Sequence, residues 1–201
     1  KDLNEDMQEL LDKAALDEEQ EQKVERQFAR QYHLITREER LRKIASDLVE
    51  HFMGRGHLGK AMVVSIDKAT ALRMYDYVSE YWKTYLEKLT KRKGETGDVH
   101  SAERLEAKIN FMKETDMALV VSAAQNEISD MRSRGLDIAP HRKRIVQEDM
   151  EKKFKDGDDP FRIVFVCAMW MTGFDVPSCS TIYLDKPMRN HTLMQTMARA
   201  N

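Results

Sequence analysis

The sequence predicts an α/β fold built on a parallel sheet, and three observations point to it. Residues 61–64, 118–121, 163–166 and 181–184 form short runs that are apolar or β-branched almost throughout. Strands buried on both faces read this way, because a parallel sheet is covered by helices on each side. Helical periodicities separate most of the runs, and the few glycines and prolines fall mainly at their boundaries.

Taken in order, residues 1–57 read as helical and polar, a connector leading into the sheet-bearing unit of 58–201. From Lys1 to Arg26 ten acids face four bases, the pattern of a solvated helix surface. Thr36 and Glu39 have capping-box spacing. Behind them Leu41, Ile44, Ala45, Leu48, Val49 and Phe52 make one apolar stripe that should dock on a core. After the first strand, Leu72, Tyr75, Val78, Trp82, Tyr85 and Leu89 keep a helical period to a break at Gly94–Gly97. A second helix then carries Leu105, Ile109 and Met112. Together they predict a helical hairpin inserted over about residues 86–115. Ser122 and Gln125 should cap the helix after the second strand, which ends at Gly135, and Pro140 should open one that runs to Gly157. The predicted order is β-αα-β-αα-β-β-α.

Composition narrows the function classes. The 201 residues carry 33 Lys+Arg and 35 Asp+Glu, a net charge of −2, which excludes a histone-like polycation and an acidic disordered tail. Cys167 and Cys179 fit neither a disulfide framework nor a zinc site, and no metal ligands are assigned. The longest apolar run, residues 163–171, is far shorter than the ~20 residues of a membrane span. A reducing, cytoplasmic location without membrane contact is expected. The chain starts and stops inside helical patterns, as a piece of something longer would.

Several local patterns carry no chemistry. Gly54–Lys60 matches GxxxxGK, but a phosphate-binding loop leaves a strand and opens a helix, whereas here the helix precedes and the strand follows. Ala61 also replaces the hydroxyl residue that would touch a metal. Asp17–Gln20 has no apolar strand before it, and Glu106-Ala-Lys108 lies in a helix with no strand-borne Asp. The bases Lys83, Lys88, Lys91, Arg92 and Lys93, and the run Arg142-Lys143-Arg144, would suit phosphate contacts. Interleaved acids fit a solvated helix face equally well.

The C-terminal third is more specific. A strand runs from Arg162 into Thr172-Gly173-Phe174-Asp175-Val176-Pro177; another strand, 181–185, leads to a helix bearing Gln195 and Arg199 one turn apart. A glycine and a carboxylate thus follow one parallel strand, and a polar residue and an arginine follow the next, at the sheet edge where open α/β proteins bind ligands.

TGFDVP resembles motif V of superfamily two helicases, and Gln195-Thr-Met-Ala-Arg199 resembles the start of motif VI. Lys60–Ser65 resembles motif IV. KAMVVSIDKATALRMYD, ALVVSAAQNE and the stretch from Phe165 to Asn201 together resemble the R subunit of type I restriction enzymes, over about residues 60–201. The resemblance implies the second RecA-like lobe of a motor that uses ATP to translocate double-stranded DNA and cleaves it away from the recognition site. It implies that ATP and Mg2+ are bound mainly by a first lobe outside this sequence, with Gly173, Asp175, Gln195 and Arg199 approaching the nucleotide from this side. Arg199 would be the catalytic cation, and Ser65, Cys167 and Thr172 the nucleic-acid contacts. Cys167 stands where many relatives carry a hydroxyl residue. The specificity and modification subunits would be partners, and the 201 residues alone would be inactive. Two other readings fit the residues: another superfamily two DNA or RNA motor lobe, and a non-catalytic helical scaffold on a RecA-like core.

Overall fold

A computed structural model describes residues 18–56, 59–170 and 176–187. The chain opens with α1 (Glu18–Ile35) and α2 (Glu38–Gly54), then β1 (Lys60–Ser65), α3 (Lys68–Glu95) and α4 (Val99–Glu114). Strand β2 (Asp116–Leu119), three short helices α5 (Glu127–Ser133), α6 (Ala139–Gln147) and α7 (Met150–Lys155), then β3 (Phe161–Val166) and β4 (Cys179–Asp185) follow. The four strands form one all-parallel sheet in the order β2-β3-β1-β4. This is the α/β architecture expected, and it is consistent with a RecA-like fold.

β1 is central, paired with β3 on one side and β4 on the other, and all six of its residues are buried. Successive side chains alternate between faces, which splits the core in two. Ala61 and Val63 join α2, α3, α4 and α5 on one face, where Leu41, Leu48, Leu72, Met74, Trp82, Met112 and Phe165 are closely packed. Met62 and Val64 join Phe154, Phe161, Val164 and Val166 on the other, under α7. Five of the six residues of the α2 stripe are buried and Ile44 packs against them.

The inserted hairpin is present. α3 spans 28 residues, about 42 Å at 1.5 Å per residue, so it starts at the carboxyl edge of the sheet and runs past the amino edge. Trp82 ties the hairpin together: its indole Nε1 donates to Met112 O at 3.1 Å. Gly94 does not break α3, which continues to Glu95; the turn comes at Thr96–Asp98, where Asp98 caps α4 through the Ser101 amide.

Three predicted boundaries move. The Thr36–Glu39 capping box does not form: α2 starts after Arg37, and Thr36 Oγ1 instead donates back to Tyr32 O at 2.9 Å, ending α1. Ser122 and Gln125 do not cap α5, which begins after Asn126 in the left-handed region (φ 58°). The helix opened by Pro140 stops at Gln147, and Asp149 starts α7 by accepting from the Lys152 amide. At Thr36 and Asp149 a short polar side chain satisfies a nearer backbone group, the competition that makes such residues good at ends and ambiguous about which end.

β2 is one of the two edge strands of the described sheet, and an edge exposes unpaired backbone. Arg144 covers it. The guanidinium donates to Met117 O at 2.8 Å and pairs with Asp116 and Glu148, and Lys153 pairs with Glu148 at 2.7 Å. Hydrogen bonds from Arg144 and Lys153 hold the Glu148 carboxyl well below its ordinary range, at about 2.

Two predictions follow from this packing. A Cβ on Gly59 would collide with Ser180 Oγ and stand 3.1 Å from Ser180 Cβ, so Gly59→Ala should lower the thermal midpoint and the double variant Gly59→Ala/Ser180→Gly should recover most of the loss; an undisturbed Gly59→Ala midpoint contradicts this packing. Because the folded Glu148 pKa is depressed, its contribution to stability is present above about pH 4.5 and is lost as pH falls through about 2. Urea midpoints of Glu148→Gln should therefore fall less steeply than those of the parent across that window.

Candidate functional site

The site is set by topology. The connection leaving β1 passes over β3 to reach β2, and the one leaving β3 passes over β1 to reach β4. The two adjacent central strands thus send their connections in opposite directions, which opens a crevice at their carboxyl ends; ligands of open α/β sheets bind at such a switch point. Two clefts, of about 370 Å³ at the hairpin tip and about 730 Å³ beside the start of β2, lie away from this edge. In the larger one burial raises the Asp76 carboxyl pKa.

Ser65 ends β1 and Cys167 follows β3; the register Val64↔Val166 makes them neighbours. Both side chains are enclosed, at 0% and 6% exposure, and burial raises the Cys167 thiol pKa. Their alternation with Val63 and Phe165 turns them toward the α3 face. The structure therefore brings these two predicted contacts together, though without side-chain access to solvent. Thr172, Gly173, Asp175, Gln195 and Arg199 lie outside the described residues. Trp170, three residues after Cys167, has φ 66° and stacks on Phe154 at 5.7 Å. A bulky residue in the left-handed region is a genuine outlier, and it stands at the entry to the Thr172–Pro177 motif.

Two strands carry the same apolar-Asp-Lys pattern at their ends. β1 is followed by Ile66-Asp67-Lys68, and β4 ends on Leu184-Asp185 with Lys186 just beyond it. Each aspartate is an anchor. Asp67 caps α3, accepting from the Thr70 amide at 2.6 Å, and also accepts the Tyr32 hydroxyl; burial and this bond raise the Tyr32 pKa. Its carboxylate already occupies the positive end of α3, leaving that helix start closed to a phosphate. Asp185 accepts both arms of Arg40, one at 3.0 Å, while Arg40 also donates to Ile35 O at 2.8 Å. These bonds lock the α1–α2 elbow to the carboxyl edge. Farther along α2, His51 Nδ1 lies 2.8 Å from the Tyr183 hydroxyl, and Arg55, just past its end, donates to Thr181 at 2.7 Å, so alternate residues of β4 are held by one helix.

Each lysine reaches over the sheet. Lys68 meets Glu127 at 3.6 Å, and Lys186 Nζ donates to Cys167 O at 3.4 Å. Glu127, its side chain 5% exposed, is gripped by Arg142, whose other hydrogen bonds go to Val121 O and Ser122 O at 3.0 Å each. The Arg142–Glu127 pair thereby fixes the exposed 122–126 loop after β2. None of Lys68, Glu127 or Lys186 was singled out from sequence, although the repeated apolar-Asp-Lys ending was there to find. Of the basic run 142–144, Arg142 and Arg144 are engaged inside the fold, and Lys93 of the hairpin cluster pairs with Glu106. Lys60, the lysine of the GxxxxGK match, is 1% exposed at the amino edge, where its ammonium donates to Lys153 O at 2.9 Å. It closes the end of α7 and holds no phosphate.

Residues 60–201 match the family described as type I restriction enzyme subunit R domain 3. The chain belongs to the type I restriction enzyme R-subunit family. It is 30% identical over 196 residues to a putative type I restriction enzyme MjaIXP endonuclease subunit of Methanocaldococcus jannaschii, covering 96% of this chain and 15% of that protein. It is 29% identical over 170 residues to the type I restriction enzyme HindI endonuclease subunit of Haemophilus influenzae, covering 84% of this chain and 14% of that subunit. The R-subunit chain described here thus spans about a seventh of these relatives. None of its described helices is long and apolar enough to cross a membrane.

Removing Arg142 from this R-subunit domain would leave Glu127 with Lys68 alone, so Arg142→Ala should cost about 3 kcal/mol, the low end for an orphaned buried charge. Arg142→Met combined with Glu127→Leu should recover most of it in denaturant titrations. Equal losses in the single and double variants would show that the ion pair is not the cause.

Proposed function

We propose that this chain is the second motor lobe of a type I restriction R subunit, in which ATP hydrolysis drives translocation of double-stranded DNA before cleavage away from the recognition site. The observation that carries the reading is the coincidence of two independent features. The sheet has its switch point between β1 and β3, and the motif Thr172–Pro177 follows β3 directly in a chain of the R-subunit family.

In this reading Gly173 and Asp175 approach the nucleotide from the end of β3, and Gln195 and Arg199 from the segment after β4. Glycine admits close approach of the backbone, and Asp175 supplies an acceptor for ribose or metal-bound water. ATP with Mg2+, bound mainly by the first lobe, supplies the phosphoryl group whose transfer drives movement. Arg199 places a guanidinium against the charge that develops there, an effect worth ~10³–10⁵ in rate. Ser65, Cys167 and Thr172 line the nucleic-acid side, the first two through main-chain groups, since their side chains are enclosed. The specificity and modification subunits supply site recognition. The 201 residues contain neither a phosphate-binding loop nor a nuclease centre that the sequence identifies, so the isolated chain is inactive in this account.

Arg199→Ala in the full-length subunit should abolish ATP-driven translocation, measured by triplex displacement, while leaving DNA binding within about twofold, because one cation among many phosphate contacts is a small share of affinity. Retained ATPase in that variant would refute the assignment. DNA-stimulated ATPase from the isolated 201 residues would refute the predicted inactivity of the fragment.

A further inference from the structure

The paired lysines at the carboxyl edge point to a site that the sequence motifs do not contain. We infer that Lys68 and Lys186 form a two-point cradle for a phosphate group above the end of β3, with Glu127 and Arg142 as positioning residues; the inference rests on the motor-lobe reading.

The two lysines leave different strands, β1 and β4, yet both converge on the same place. β3 lies between β1 and β2, so the Lys68–Glu127 contact spans the end of β3. Lys186, beyond β4, reaches across β1 to the Cys167 carbonyl just past the end of β3. Both ammonium groups act on the Cys167 thiol from either side, lowering its pKa against the larger effect of burial.

Charge at this edge is distributed so that the lysines are the least neutralised cations. Among the described residues the carboxylates here are Asp67, Asp185 and Glu127. Asp67 is engaged by Tyr32 and the α3 amide of Thr70, and Asp185 by Arg40. Glu127 is shared: its short, bidentate bonds go to Arg142, and Lys68 stands off at 3.6 Å. Among the described residues four cations, Arg40, Arg142, Lys68 and Lys186, thus meet three carboxylates, and the excess falls on the lysines. Lys186 has only a neutral carbonyl as its described partner. A ligand with several acceptor oxygens and negative charge would satisfy this arrangement, and a phosphate has both.

Glu127 is needed because a free Lys68 would sample many rotamers. A carboxylate fixed by a bidentate guanidinium holds the ammonium over β3 without fully neutralising it. Arg142 at the same time pins Val121 O and Ser122 O, so the exposed polar loop 122–126 becomes a rigid wall beside the cradle.

The phosphate belongs either to the DNA backbone or to the nucleotide, and one set of variants separates the two. Lys68→Ala, Lys186→Ala and Glu127→Gln would be introduced into the full-length subunit, alongside the parent and Lys68→Arg/Lys186→Arg. Binding to a non-specific duplex would be measured across a salt series, and binding of a fluorescent ATP analogue in parallel. For a backbone phosphate, each lysine variant weakens duplex binding about five- to tenfold near 0.1 M salt and lowers the slope of log K against log salt by roughly 0.9 per lost contact. Nucleotide affinity is then unchanged. For a nucleotide phosphate the analogue weakens by a similar factor and the duplex slope is unchanged. In either case Glu127→Gln moves the same quantity in the same direction, and the arginine variant restores it. Parental slope and nucleotide affinity in every variant would overturn the cradle, as would weakened binding that tracks a lowered thermal midpoint with no change of slope. Failure of the parent subunit to bind duplex or nucleotide would instead count against the motor-lobe reading.

Discussion

The structure depends on the complete burial of β1. A strand with no exposed residue must have every backbone N–H and C=O paired, because an orphaned polar group in an apolar interior costs as much as a lost hydrogen bond. Pairing on both edges requires β3 and β4 as flanks, and burial of both faces requires helices above and below. With the flanks in place, Ser65, Val166 and Asp185 end at nearly the same height. The carboxyl edge is thus level, and side chains just past each strand can meet. The Lys68–Glu127 and Lys186–Cys167 contacts exist because the register is fixed beneath them.

The same constraint explains what the sequence made legible. Residues 61–64 and 163–166 are apolar without alternation because both faces are covered, and the α2 stripe keeps its period because one helix face packs on α3 and the sheet. Those signals are set by burial, which acts on every residue of an element in turn. Helix ends are decided differently, by one side chain choosing among a few backbone groups. Thr36 and Ser122 had the right spacing to cap the following helix, but Thr36 turned back to Tyr32 O, and the Ser122 carbonyl was taken by Arg142 from 20 residues away. No local window contains that competitor. The lysine of the glycine-rich match was readable for the same reason that the strands were: a helix before and a strand after already denied it the geometry of a phosphate loop, and the structure buries it against Lys153 O.

Of the proposed site, the part carried by motif was visible in sequence, and the part carried by tertiary contact was not. Ser65 and Cys167 follow from their places at strand ends. Glu127 does not, since a lone glutamate at the start of a seven-residue helix gives no sign of burial until Arg142 and Lys68 close on it. The apolar-Asp-Lys ending of β1 and β4 lies between these cases. Each instance is commonplace, and only the pairing of the two strands gives their coincidence meaning.

Net charge says little about such a domain because most charges serve the fold. Arg144 guards an edge strand, Arg142 holds a loop, Arg40 locks an elbow, and each is matched by a carboxylate close by. A cluster of bases in sequence is therefore a poor guide to a phosphate-binding surface. What distinguishes a lysine available to a ligand is that its neighbouring acids are already engaged elsewhere. At the carboxyl edge Asp67 and Asp185, each adjacent in sequence to its lysine, are turned toward Tyr32 and Arg40. The elbow between α1 and α2 thus does more than pack a helix on the sheet: by taking up both aspartates it leaves Lys68 and Lys186 under-neutralised at the point where the strand connections part.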